Sequence, residues 1–292
     1  MCSDMKDSFK IDLHTHSTVS DGTDTPEELL ENVRRAGIDL FALTDHDAVL
    51  GCDVIRRVRQ ADDPQFLNGV EFSCRDEQGK YHILGYGYDP ASPSVRRIVE
   101  KGHGLRMEKV AARLEFIRQR FGFCFPDSEI QSLMSLSNPG KPHIGNLMVK
   151  YGYAESKKQA IDEYINQAKV RSAFIRPEEA IEAILQGGGI PVLAHPAYGS
   201  GDEMILGDEM DCRLRRLMDY GLRGMEAFYS GFSPKLQAAM LSFAEKYDLY
   251  VTAGSDYHGK NKLTALGDTN IGSVQTVPDG MKRFLEDVSL SS

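Results

Sequence analysis

Phe9-Lys-Ile-Asp-Leu13 runs straight into His14-Thr15-His16, and the reading of this stretch decides the fold. A short apolar run of this length predicts a strand. Thr25-Pro26-Glu27-Glu28 follows as a helix start, with Thr as N-cap, Pro in the first turn and acids at the positive end of the dipole. That helix ends at Gly37, a residue suited to the position just past a helix. A second strand is expected over Asp39–Thr44 and a second helix over Asp53–Ala61. Strand, helix, strand, helix is the rhythm of βα units around a parallel sheet.

Outward from this start, Gln65–Phe72 and Lys80–Tyr88 read as two strands joined across the polar turn Arg75–Gly79. The βα rhythm returns late in the chain. Helices are expected over Pro177–Gln186, Cys212–Tyr220 and Pro234–Tyr247, and strands over Ile190–Ala194, Gly224–Phe228 and Leu249–Gly254. Gly187-Gly188-Gly189 has no following Walker lysine, so it reads as a helix cap and turn. Between Pro93 and about Phe174 the alternation breaks into helical stretches, Val95–Arg120, Pro126–Leu136, Ile144–Tyr151 and Ser156–Ala168. The organisation expected is an α/β barrel from 9–95 and 172–285, carrying a helical insertion, 96–171, over its site.

A net charge of -9 argues against a general nucleic-acid surface, which would be basic. Bound cations could still make an acidic pocket attractive to phosphate. The five cysteines, Cys2, Cys52, Cys74, Cys124 and Cys212, are widely spaced and lack a C-x-x-C, which favours free thiols in a reducing compartment. Cys74, close to Glu71, reads as packing. Met1–Lys10 lacks an apolar signal core, and no run approaches membrane-spanning length. The expectation is a soluble, cytoplasmic protein without a membrane partner.

The histidines carry the chemistry. Of eight, five sit where strands should end: His14, His16, His46 in Leu43-Thr-Asp-His-Asp47, His195 before Pro196, and His258 in Asp256-x-His258. His82 follows the Glu71 strand. Side chains alternate along a strand, so His14 and His16 point to one face, as two ligands of one ion must. Asp21 lies in a Ser-Asp-Gly turn, where an aspartate also serves as a plain turn former. Ligands at the ends of successive barrel strands converge on one rim. Imidazole and carboxylate together suit Zn, Mn or Fe.

The order His14-x-His16, Asp21, Thr44-Asp-His46, Glu71, His82, His195-Pro196 and Gly254-Ser-Asp256-x-His258 resembles the polymerase and histidinol phosphatase (PHP) family, from Ile11 to about Gly272. The helical insertion is similar to that of the subgroup of nucleotide phosphatases and 5′-to-3′ RNA exonucleases. The resemblance implies a distorted seven-stranded β/α barrel with two or three divalent ions (Mn, Fe or Zn, with Mg a further option). It implies that His14, His16, Glu71 and Asp256 hold one ion. Glu71 would bridge to a second ion, held also by His82 and His195, and Asp21, His46 and His258 would hold a third. Some members carry histidine at the Asp21 position, so the third site here is expected to be weaker or to prefer a harder metal. Asp45 and Asp47 read as supports, not ligands.

Such a cluster lowers the pKa of a bridging water and clamps phosphoryl oxygens, which points to phosphate-monoester hydrolysis by a metal-bridging hydroxide, with Glu71, Asp256 and His195 at the reacting centre. Arg106, His143, Lys169 and Arg171 are the candidate phosphate contacts, Arg106 and His143 being similar to features of the subgroup. Ala168-Lys-Val-Arg-Ser-Ala-Phe174 and Tyr257 depart from the subgroup's usual residues. The expected substrate is small: a nucleoside 3′,5′-bisphosphate, a nucleoside monophosphate or a short RNA 5′ end, without stable duplex binding. The oligomeric state is not legible. A histidinol-phosphate-type phosphatase, an amidohydrolase-like C–N hydrolase and a non-catalytic metal-binding module are the rival readings. The amidohydrolase would need a bridging lysine where Glu71 stands, and a degenerate module would have lost ligands.

Overall fold

A computed structural model describes residues 9–136, 138–170, 173–199, 203–273 and 276–289. The chain forms two compact units, one built from residues up to Val99 and from Ile175 on, the other from Glu100–Phe174. The first unit holds seven strands in sequential order: β1 (Ile11–Thr15), β2 (Leu40–Leu43), β3 (Gln65–Asp76), β4 (Gly79–Tyr86), β5 (Ile190–Leu193), β6 (Gly224–Tyr229) and β7 (Tyr250–Gly254). Neighbours pair in parallel except at β4, which runs antiparallel to both β3 and β5. Past the end of β7 the chain returns to β1. The His16 N–H donates to the Tyr257 carbonyl at 2.9 Å and the Tyr257 N–H to His14 at 3.3 Å, which closes the sheet into a distorted seven-stranded β/α barrel.

Helices α1 (Pro26–Ala36) and α2 (Leu50–Val58) show why this sequence folds as it does. Thr25 Oγ1 accepts from the Glu28 N–H at 3.2 Å, and Glu28 returns the bond to the Thr25 N–H at 2.8 Å, a reciprocal cap that satisfies two orphan donors. Gly37 ends the helix at φ 65°, ψ 38°, where a side chain would be strained. Between the caps, Leu29, Leu30 and Val33 meet Phe41, Leu43, Cys52 and Ile55 in one buried cluster, so removal of apolar surface from water fixes α1 and α2 against β2. The four cysteines within the described residues are free thiols, with Cys52 and Cys74 buried; Cys2 lies outside them.

Glu100–Phe174 has its own core, in which Val110, Leu114 and Ile117 of α3 (Pro93–Phe121) meet Leu133 of α4 (Asp127–Met134) and Ile144 and Met148 of α5 (Lys141–Lys150). The first turns of α3 belong to the barrel: Ser94 Oγ donates to Ala183 O at 2.9 Å, and Val95 is buried near Gly187. This is why the observed division falls near residue 100 and not at 96.

Several boundaries differ from expectation. β1 begins and ends two residues later than Phe9–Leu13, because its pairing to β2 and to Tyr257 carries both histidines into the strand region. α2 starts at Leu50 and not Asp53. Ser156–Ala168 is broken into a short helix, α6 (Lys157–Gln159), a π-turn (Ala160–Tyr164) and a 3-10 turn (Ile165–Gln167). α7 (Pro177–Gln186) is as expected, and Gly187 caps it, with Gly188 left-handed at φ 76°. α8 (Gly207–Asp219) starts five residues before Cys212, and α9 is Pro234–Lys246. A last helix, α10 (Asp279–Ser289), lies beyond the expected elements. It buries Phe284 against Tyr86, with ring centroids 5.5 Å apart. No helix among the described residues is long and apolar enough to cross a membrane.

Candidate metal centre

All nine expected ligands converge at one end of the barrel. His14 in β1 and His16 just past its end point the same way, as alternation requires, and both are fully buried. Glu71 lies in the middle of β3 and not at its end, since β3 continues to Asp76 and only the parallel bridge His46–Glu71 marks the rim. His82 reaches the same rim from the first half of β4, because that strand runs antiparallel. Both residues lie within strands, as the expected strands Gln65–Phe72 and Lys80–Tyr88 place them, and the rim is completed from inside β3 and β4 and not only from parallel-strand ends. His195 and Asp256 follow β5 and β7 in left-handed backbone, at φ 27° and 56°. Non-glycine residues take that conformation at a cost, Asp and His more readily than most, where the surrounding structure over-determines it.

Glu71 stands at the centre. Its Oε2 lies 3.2 Å from His14 Nε2, 3.3 Å from His16 Nε2 and 3.0 Å from His46 Nδ1. Its Oε1 lies 2.9 Å from His82 Nδ1 and 3.2 Å from His195 Nε2. The two oxygens of one carboxylate thus face two sets of imidazoles. Asp256 Oδ1 completes the first set, 3.3 Å from His16 Nε2 and 3.6 Å from His14 Nε2. Donor atoms around an ion at about 2.0–2.1 Å stand about 3.0–3.4 Å apart, whether the shell is octahedral or tetrahedral. The spacings fit such a shell. So does the state of the atoms: His14 Nε2, His16 Nε2 and Glu71 Oε2 are buried without a hydrogen bond, which is costly unless a cation takes the lone pairs. A third group gathers Asp21, His46 and His258 with the far nitrogen of His16. Asp21 Oδ1 is 3.2 Å from His258 Nε2 but 3.9 Å from His16 Nδ1, and Asp21 Oδ2 is 3.9 Å from His46 Nε2, a looser set.

Charge follows the same geometry. Burial raises the Glu71 carboxyl, but the surrounding imidazoles pull it well below the usual carboxylate range, and Asp21 and Asp256 are likewise held low. Burial lowers His16, and its carboxylate partners Asp256 and Glu71 outweigh this, pushing it up to about 9. His14 is raised well above its ordinary value by Glu226, Glu71 and Asp256 against burial. His46 goes the other way, down to about 3, through burial and the charges on His16 and His82. Burial and the charge on His16 lower His258 as well.

The supports are visible. The His14 Nδ1–H donates to Glu226 Oε1 at 3.0 Å, and Glu226 Oε2 accepts from the His195 N–H at 2.8 Å. Asp12 accepts from the Ser255 N–H and hydroxyl and from Gly267, and burial pushes its carboxyl up to about 6. Asp45 accepts from Ser17 and Ser20, fixing the turn that carries Asp21, and Asp47 accepts from the Ser73 N–H. Both act as supports, in line with their reading from sequence. Sequence reasoning missed Glu226 and Asp12. Each is an acid inside an otherwise apolar strand, and that mismatch was the available signal. It also missed Tyr198, Tyr229 and Lys262, which line the cleft with His46, His82 and His195.

Three of the four phosphate-contact candidates, Arg106, His143 and Lys169, lie in the helical unit. Arg106 is on α3, with one guanidinium nitrogen 4.0 Å from where a Gly140 side chain would begin. His143 is in the first turn of α5, where its Nδ1 accepts from the Gly140 N–H at 3.2 Å. Lys169 is exposed, and Arg171 lies outside the described residues.

The sequence pattern of the PHP domain family matches residues 12–175. The chain belongs to the PHP domain family. It is 29% identical over 281 residues to a 5′-3′ exoribonuclease of Haemophilus influenzae, covering 94% of this chain and 99% of the relative. A phosphoribosyl 1,2-cyclic phosphate 1,2-diphosphodiesterase of Eggerthella lenta is 28% identical over 261 residues (85% and 94%). A 3′,5′-nucleoside bisphosphate phosphatase of Chromobacterium violaceum is 28% identical over 278 residues (92% of each). A solved structure from Bifidobacterium adolescentis, assigned to the metal-dependent phosphoesterases, superposes with a TM-score of 0.79 at 27% identity over 96% of each chain.

Proposed function

We infer that this chain is a metal-dependent phosphoesterase acting on a small phosphorylated substrate, a nucleotide foremost: a nucleoside 3′,5′-bisphosphate, a nucleoside monophosphate or the 5′ end of a short RNA. The observation that carries the reading is Glu71, whose two oxygens face two imidazole sets 2.9–3.3 Å away. It is the acid that a bridged pair of ions requires. The three relatives named above, all acting on phosphate esters, support the same chemistry.

By this reading His14, His16, Glu71 and Asp256 hold a first ion and Glu71, His82 and His195 a second. Asp21, His46 and His258 hold a weaker third, and the mixed N/O sets suit Mn, Fe or Zn, with Mg a further option. Ions bound there would lower the pKa of coordinated water and neutralise phosphoryl oxygens. The protein's part is to keep the site rigid. Glu226 orients His14, Tyr229 orients Asp256, and the low carboxylate pKa values keep Glu71 and Asp256 ionised and ready to ligate. The helical segment is read as the source of substrate-phosphate contacts, with Arg106, His143, Lys169 and Arg171 as its cations. Arg106 stands close enough to the half-buried Arg113 to add to the lowering that burial imposes on it, which supports this reading. A cytoplasmic setting goes with the four free thiols.

The test is phosphate release by Mn-loaded protein from adenosine 3′,5′-bisphosphate, AMP, short RNA and histidinol phosphate. Release favouring the first three is expected. Equal release from all four, or none with ions bound, would refute the nucleotide reading.

A further inference from the structure

Among the described residues lining the cleft, Lys262 is the only lysine or arginine. Its Nζ donates to Asp256 Oδ2 at 2.5 Å, and its side chain is 42% exposed. The same oxygen accepts from the Tyr229 hydroxyl at 2.9 Å, whereas Asp256 Oδ1 faces His14 and His16. The two oxygens of Asp256 are thus divided, one toward the ion-binding set and one toward Lys262 and Tyr229. An ammonium carries three donors, and Asp256 takes one. The segment that carries Lys262 is pinned to the turn of Asp21: the Lys260 N–H donates to Thr23 Oγ1 at 2.9 Å, and Asn261 Nδ2 to Asp21 O at 2.7 Å. A cation is therefore held at the mouth of the cleft, with donors to spare, beside the ligand it steadies.

We propose that Lys262 is a substrate-phosphate contact supplied by the barrel itself, donating to a terminal oxygen of a phosphate group seated on the centre. This rests on the phosphoesterase reading for its ligand class. A second support for Asp256, Tyr229, makes the two roles of Lys262 separable. Losing the lysine removes the donor to phosphate and leaves Asp256 held.

The experiment titrates inorganic phosphate into metal-loaded wild type, Lys262→Ala and Lys262→Arg by calorimetry, with metal content measured on the same samples. Lys262→Ala should keep the wild-type metal content and bind phosphate about tenfold to a hundredfold more weakly, the loss of a charged hydrogen bond. Lys262→Arg should recover most of the affinity. Wild-type affinity in Lys262→Ala overturns the proposal. So does loss of metal in step with phosphate, which would make Lys262 a prop for Asp256 alone, and so does a wild type that binds no phosphate. Because the readout is binding, it judges Lys262 whether or not any ester turns over. A wild type that binds phosphate but hydrolyses none of the esters tells against the phosphoesterase reading separately.

Discussion

Glu226 holds the ring of His14: Nδ1–H donates to Oε1 at 3.0 Å, with both side chains fully buried. That bond commits Nδ1 and turns Nε2, the free nitrogen, toward Glu71 and Asp256. The other oxygen of Glu226 holds the His195 N–H, so one carboxylate positions a ligand from each imidazole set. Replacing such a partner of a ligating histidine costs about 10–100-fold in metal affinity. Glu226→Ala should therefore weaken both ions, measured by competition with a chelator. Wild-type affinity in the variant would show that His14 is oriented by packing alone.

If Glu71 is shared, its loss is felt twice. Glu71→Gln should lower the bound metal by two ions, whereas His82→Ala, which touches one set only, should lower it by one. Elemental analysis after gel filtration separates the cases. A loss of one ion from both variants would mean that Glu71 serves a single ion.

The protonation of His16 makes metal uptake depend on pH. Its pKa in the folded, ion-free protein is about 9, raised from 6.5. The stabilisation this brings is full below about pH 6.5 and is lost as pH rises through 9, so the ion-free protein should soften across that window. A metal ion must displace the proton, so its affinity should climb from pH 7 to 9. Chelator competition at several pH values checks this, and an affinity flat in pH would tell against a protonated His16.

Asp21 governs the third group. Its carboxyl is held well below the usual range by His46, His258 and His16, against burial, yet two of its three contacts are long. Asp21→Ala should remove the most weakly held ion and leave the other two. Asp21→His should retain it against a chelator longer than the wild type does. Loss of all ions from Asp21→Ala would place Asp21 in the main centre.

What the sequence made legible were the features that act locally. The cap of α1, from Thr25 to Gly37, follows from residues within one helix length, and the shared face of His14 and His16 follows from strand alternation. Family order then joined the scattered ligands. What stayed hidden depends on distant partners. Glu226 meets His14 across 212 positions, and the one acid in Gly224–Tyr229 stands out as a mismatch without naming the partner it turns toward. The direction of β4 is likewise set by its pairing to β3 and β5 and not by its own residues, and so is the route by which His82 reaches the rim. α10 begins with Asp-Gly, a turn signal, and is helical because Met281, Phe284 and Val288 have a buried face to meet.

Gly254 tests how tightly the centre is built. A Cβ there would stand closer than 3.0 Å to both the His14 side chain and Glu226 Oε1, a separation side chains do not tolerate. Both groups are fixed, the first by β1 and the second by two hydrogen bonds, so neither can yield cheaply. Overpacking of this kind costs about 1–3 kcal/mol. Gly254→Ala should lower the melting temperature by several degrees, about 2–4 °C for each kcal/mol in a domain of this size. It should also weaken metal binding, because His14 is displaced. Gly104→Ala is the control. It lies within α3 with nothing within 4 Å of a new Cβ, and should stabilise by about 0.5–1 kcal/mol. Differential scanning calorimetry with and without Mn reads both effects. A Gly254→Ala protein that melts and loads metal like the wild type would show that His14 and Glu226 have room to move, and that the centre is not held rigid by its neighbours.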